Sequence, residues 1–216
     1  MPAPNLKIKV CGLNDQQNIE QLQSLPINYM GFIFYKNSPR FFDKNISLAQ
    51  LTNNFSGIEK VGVFVNETSD AVLELVAFHQ LDAVQLHGDE SSDFCAGLCD
   101  KVAVIKAFQM DDGFDFSALR SYLPYVSYFL FDTATKNYGG SGEQFNWQKM
   151  HEYHFDKPFF LSGGIDDESQ EKIKQFKHPQ LFGIDLNSKF ETQYGIKNYN
   201  KLKNFIKKLN NDSNEQ

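Results

Sequence analysis

Arginine is nearly absent from this chain: Arg40 and Arg120 are the only two among 216 residues. Lysine supplies the rest of the positive charge, and acidic residues outnumber basic ones 27 to 21, a net charge of −6. Nothing in that balance favours attraction to nucleic acid or to an anionic membrane surface. Cysteine is scarce too. Cys11, Cys95 and Cys99 are odd in number and carry no disulfide-scaffold pattern, which fits a reducing compartment. Cys95 and Cys99 stand one helical turn apart with no second Cys or His pair at zinc spacing, so they read as ordinary helix residues and no metal site is expected. No apolar run approaches the length of a membrane span, and the N-terminal stretch has no apolar signal region. The chain therefore reads as cytoplasmic. No Pro/Ser-rich linker divides it, and one domain is the simplest account.

What is present is a core and a rhythm. Hydrophobic residues make up 41% of the chain and aromatics 14%, enough to fill a sizeable interior. Short apolar runs recur at 7–11, 30–34, 61–65, 83–86, 102–107, 128–131, 159–161 and 181–186. Between them lie segments with helix signals. Ser69-Asp70 precedes Val72, Leu75, Val76 and His79; Ser91-Ser92-Asp93 precedes Phe94 and Leu98; Asp166-Asp167-Glu168 opens a segment holding Ile173 and Phe176. A last helix over 199–209 puts Leu202, Phe205, Ile206 and Leu209 on one stripe. Strand and helix alternating in this way predict an α/β fold, a single (β/α)8 TIM barrel over residues 1–209, with a polar tail at 210–216. A doubly wound open sheet is the alternative, because periodicity does not report closure.

In such a barrel the polar residues at the C-terminal ends of strands converge on one mouth. They are Cys11-Gly12 after the first run, Arg40 in the loop after the second, Asn66 after the third, and Gln85 to Gly88 around the fourth. Lys106 lies in the fifth run, Asp132 ends the sixth, Ser162-Gly163-Gly164 follows the seventh, and Asp185-Leu-Asn187-Ser188 ends the eighth. The set holds one thiol, one carboxylate suited to acid–base work, one arginine suited to a carboxylate, and a glycine pair suited to phosphate. Each has a plainer reading as well: a small buried hydrophobe for Cys11, a solvated charge for Arg40, a hydrogen-bonded structural residue for His87, an internal ion pair for Lys106.

Taken in order, Ile8-Lys-Val-Cys-Gly12, Gly31-Phe-Ile-Phe-Tyr35 with Ser38 and Arg40, Val61 to Asn66, Val84-Gln-Leu-His-Gly88, Asp132-Thr133 with Tyr138-Gly-Gly-Ser-Gly142, and Leu161-Ser-Gly-Gly164 resemble the phosphoribosylanthranilate isomerase family of tryptophan biosynthesis. The resemblance runs from the first strand to the final helix. It implies a (β/α)8 barrel that carries out an Amadori rearrangement of a small phosphorylated substrate without cofactor or metal. It implies Cys11 as general base and Asp132 as general acid. It places Arg40 against the anthranilate carboxylate, and Gly163, Gly164 and the loop with Asp185, Asn187 and Ser188 around the phosphate, with His87 beside the substrate. One position departs from the family pattern: Lys189 stands where the family commonly has glycine. An ordinary aspartic acid is ionised at neutral pH, so the acid role asks that apolar neighbours such as Phe131, or the substrate's own charge, keep the proton on Asp132. The glycine loop 137–142 reads as a cover beside the acid, and the absence of an extra apolar stripe on the helices favours a monomer over a dimer. A related phosphoribosyl-sugar isomerase or indole-glycerol-phosphate synthase, and a barrel kept as a partner-binding scaffold, are the rival readings.

Overall fold

The computed structural model describes residues 6–43, 47–48, 57–133 and 146–211. Eight strands form the frame: β1 (Lys7–Cys11), β2 (Tyr29–Ile33), β3 (Glu59–Phe64), β4 (Ala83–Leu86), β5 (Ala103–Met110), β6 (Tyr128–Thr133), β7 (Phe159–Leu161) and β8 (Leu181–Leu186). All pair in parallel, and β1 pairs with both β2 and β8, so the sheet closes into a barrel. Closure excludes the open doubly wound sheet.

The apolar runs form buried strands because each has covered sides inward and outward. Inward, Tyr29, Val61, Ala83, Ile105, Ala107, Leu130 and Phe160 pack into a plug that fills the barrel. The rings of Tyr29 and Phe160 meet edge to face at 5.4 Å within it. Outward, a larger core including Ile8, Val10, Met30, Phe32, Phe129 and Ile184 packs under the helices. The plug fills the barrel interior with apolar side chains, so the polar strand ends are the place for chemistry.

The helices start where the capping residues dictate. α1 (Gln16–Leu22) is capped by Asp15, whose side chain accepts from Asn18 N at 2.8 Å. α2 (Ser69–His79) is capped by Thr68 and α3 (Ser92–Leu98) by Ser91 in the same way. α4 (Gln170–Gln175) begins later than the acidic triplet suggests. Asp166 instead closes a turn, accepting from Ser169 Oγ and Glu168 N. α5 (Tyr199–Asn211) buries the expected stripe of Leu202, Phe205, Ile206 and Leu209, and extends two residues past 209. Between β5 and β6 a 3-10 turn at Phe116–Leu119 stands in place of a full helix. An antiparallel hairpin, β9 (Glu191–Gln193) with β10 (Ile196–Lys197), follows β8 and was not expected.

Candidate active site

The strand ends meet in one cleft lined by Cys11, Ile33, Tyr35, Ser38, Arg40, Val63, Val65, Gln85, His87, Asp132, Ser162, Gly163, Gly164, Ile165, Asp185, Asn187 and Ser188. The cleft is concave and open to solvent at the barrel mouth, with apolar walls and a few convergent polar groups, as small-molecule sites are. Cys11, Asp132, Arg40, His87, Gly163, Gly164, Asp185, Asn187 and Ser188, all singled out from the sequence, are all brought together here. Lys106 is not. Alternation along β5 turns Ile105 and Ala107 into the barrel and Lys106 outward, where its ammonium meets Glu90 Oε2 at 3.1 Å and the carbonyls of Leu86, Gly88 and Ala107. That buried ion pair ties down the loop after β4, since Glu90 also accepts from Gly88 N and Asn66 N.

Cys11 ends β1 and is 3% exposed. Two residues earlier on the same face, fully buried Lys9 bonds Asp185 Oδ1 across the β1–β8 seam at 2.8 Å. Ser162 Oγ donates to the other oxygen of Asp185 at 3.4 Å. Burial pushes the Cys11 thiol up, while the charges of Lys9 and Lys197 pull it back in part. Burial alone would lower Lys9, but Asp185 and Cys11 outweigh it and hold the ammonium above its ordinary value.

Across the cleft, Asp132 ends the inward face of β6. Its Oδ1 accepts from Thr133 N at 2.9 Å, and its Oδ2 lies 3.4 Å from His87 Nε2. His87 Nδ1 in turn meets the amide nitrogen of Gln85 at 2.8 Å. Gly163 takes φ +83°, and a Cβ there would press on Thr133 and lie 2.7 Å from Asp132 Oδ1. Only glycine lets the β7 loop touch the acid so closely.

Arg40 lies in the cleft wall, already paired. Its Nε and Nη2 donate to Glu191 of β9 at 2.8 and 2.7 Å, and its guanidinium sits 4.9 Å over the Tyr194 ring. Lys197 of β10 bonds Glu191 Oε1 and Asn187 Oδ1, each at 2.7 Å. Burial pushes Lys197 down to about 8, against the raising effect of Glu191. Gly12, at φ +76°, makes room for this group: a Cβ there would lie 2.8 Å from both Arg40 Cδ and Asn187 Oδ1. Lys189 is exposed and its backbone carries no positive φ, so the residue replacing glycine introduces no strain. Among the described residues no group of three or more His, Cys, Asp or Glu side chains is arranged to hold a metal ion. The loop 137–142 lies outside the described residues.

Residues 8–208 match the family of N-(5'-phosphoribosyl)anthranilate (PRA) isomerase. The chain belongs to that family. A PRA isomerase of Parabacteroides distasonis is 45% identical over 204 residues, which are 94% of this chain and 92% of that one. Among solved structures, a PRA isomerase in complex with reduced 1-(o-carboxyphenylamino)-1-deoxyribulose 5-phosphate superposes with a TM-score of 0.81 at 26% identity, covering 95% of this chain and 99% of that one. A structure of mutually generated monomers of the dimeric enzyme from Thermotoga maritima gives 0.76 at 27%, with the same coverage.

Within the PRA isomerase family frame, three contributors were given no role from the sequence, although Gln85 was already placed at the mouth. Lys9 was accessible, because residues two apart on a strand share a face with Cys11. Gln85 was accessible by the same rule from His87. The partnership of Arg40 with Glu191 was not: it joins a loop to a short polar hairpin with no periodic signal.

Proposed function

We propose that this chain isomerises N-(5-phosphoribosyl)anthranilate to 1-(2-carboxyphenylamino)-1-deoxyribulose 5-phosphate, a step of tryptophan biosynthesis, by acid–base catalysis from a single catalytic domain. The observation that carries the reading is a buried thiol and a partly buried carboxyl facing one cleft, with a positive-φ glycine pair between their strands. Asp132 gives its proton to the ribose ring oxygen as the C1′–O bond breaks, and the anthranilate nitrogen closes a C=N bond to C1′. Cys11, as thiolate, then takes the C2′ proton, and the electron pair moves to give the enol–enamine that relaxes to the ketone.

The other residues hold the substrate. Gly163, Gly164 and Ser188 offer backbone N–H groups to the phosphate. Asp185 does not repel that phosphate, since Lys9 neutralises it. Asn187 braces Lys197 beside the same loop, and Arg40 presents its guanidinium to the anthranilate carboxylate. His87 contacts the acid from the substrate's side of β4.

The chain works as a cytoplasmic monomer in this reading: among the described residues no helix is long and apolar enough to cross a membrane, and only Phe78 and Tyr194 are large exposed hydrophobics. The test is loss of anthranilate-type fluorescence on freshly generated substrate. Cys11→Ser and Asp132→Asn should each slow it by orders of magnitude with the fold intact. A variant retaining near wild-type turnover would remove that residue from its role, and a wild-type chain without turnover would favour the related isomerases or a scaffold.

A further inference from the structure

Gln85 lies on the inner face of β4, 1% exposed, in a wall whose neighbours Val61, Ala83 and Ile105 are apolar. Only one end of its amide is used. The nitrogen sits 2.8 Å from His87 Nδ1, while Oε1 is buried with no partner among the described residues. A buried acceptor left unpaired costs stability, and an apolar side chain of the same length would fit this wall without that cost. The residue is therefore better explained by what its satisfied end does than by packing.

That end determines the state of His87. An amide nitrogen only donates, so Nδ1 must be the bare, accepting nitrogen, and a neutral ring then carries its proton on Nε2. Nε2 is the atom that faces Asp132 Oδ2, at 3.4 Å. We propose that Gln85 is a positioning residue for the isomerase reaction: it fixes the proton of His87 on Nε2, so that His87 donates to Asp132 and holds that carboxyl turned toward the cleft. With Oδ1 already accepting from Thr133 N, the carboxyl is then gripped at both oxygens and cannot rotate freely. Without Gln85 the imidazole can carry its proton on Nδ1 and present a bare Nε2, which accepts the acidic proton of Asp132. That proton is then turned toward His87 and away from the ribose oxygen it must reach. The catalytic consequence rests on the acid role of Asp132; the assignment of the ring proton does not.

The experiment uses the full chain, labelled with nitrogen-15, and long-range proton–nitrogen correlation of the histidine rings, with His87 assigned from a His87→Asn variant. It is run about two pH units above the ordinary imidazole pKa of about 6.5, where a free ring is neutral. The wild type should show a bare Nδ1 and a protonated Nε2; a protonated Nδ1 overturns the proposal. Gln85→Met should lose this preference and lower kcat about tenfold, the kinetic equivalent of ~1.4 kcal/mol. KM should stay within about twofold, because only the orientation of the acid is disturbed. Its thermal midpoint should equal or exceed that of the wild type. An unchanged kcat, or a variant that fails to fold, makes Gln85 a scaffold residue and overturns the proposal. Gln85→Glu, able only to accept, should move the ring proton to Nδ1, and an unaltered ring would contradict the assignment. Asp132→Asn is assayed in parallel: near wild-type turnover there defeats the acid reading alone, and the ring spectra of wild type and Gln85→Glu still decide the role of Gln85.

Discussion

Arg40 and Glu191, 151 residues apart, form a two-bonded ion pair at 2.8 and 2.7 Å that clips the loop after β2 to the hairpin after β8. Glu191 also accepts from Lys197, so one carboxylate holds two buried cations. The guanidinium is therefore fixed in direction before any substrate arrives, and a preset donor loses less freedom on binding.

Arg40→Ala should act on substrate binding more than on turnover. If Arg40 donates to the anthranilate carboxylate as proposed, losing that charged hydrogen bond amounts to ~2 kcal/mol, or about thirtyfold in KM. Steady-state kinetics decide it, and an unchanged KM would make Arg40 a purely structural charge.

Glu191 gives the protein an acid-sensitive latch. Burial pushes its carboxyl up, but the hydrogen bonds and charges of Arg40 and Lys197 outweigh this and hold it below the usual range. A depressed folded-state value means that its contribution to stability is complete above the unfolded value of about 4.3 and drains away as pH falls through the folded value. In Glu191→Gln this part of the acid limb should vanish, and at neutral pH Glu191→Ala should lose ~3–5 kcal/mol because two cations are left buried without their partner. Urea unfolding followed from neutral to acid pH reads both effects.

Cys11 should give the enzyme an alkaline-rising activity profile. Burial holds the thiol above its ordinary value, and a base works only once deprotonated, so kcat/KM in the free enzyme should climb as pH rises past the ordinary thiol value of about 8.5. The climb should be absent from the residual activity of Cys11→Ser. A flat wild-type profile through that range would show that the proton is taken elsewhere.

Gly163→Ala joins stability to chemistry. Its φ of +83° strains an alanine, and the added methyl would press on Thr133 and Asp132. The expected loss is ~1–3 kcal/mol of stability together with lower kcat, because the same contact displaces the acid. Thermal unfolding and turnover measured on one preparation test whether the two losses travel together.

The frame was legible because a parallel barrel strand is apolar on both faces, so β1, β4, β7 and β8 stand out within the sequence to the residue. The boundaries of β5 were not, since Phe108, Gln109 and Met110 continue a strand through a polar residue that apolar runs do not count. Lys106 was drawn to the mouth by its place in the order of strands, and only the alternation of faces shows that it points away. The thiol, the acid and the glycine pair were visible as strand-end chemistry. The grip on Arg40 was hidden because Glu191, Thr192 and Gln193 form a strand without apolar periodicity.

The seam between β1 and β8 has a consequence for how the protein comes into being. Cys11 and Lys9 are synthesised long before Asp185, Asn187 and Glu191, yet Cys11, Asp185 and Asn187 line one cleft, Lys9 is bonded to Asp185, and Glu191 holds Arg40. A nascent chain that ends before β8 holds the lysine without its counter-ion, the thiol without its wall and the arginine without its clip. Activity is therefore expected only with ring closure, and a fragment lacking the eighth strand is expected to be inert.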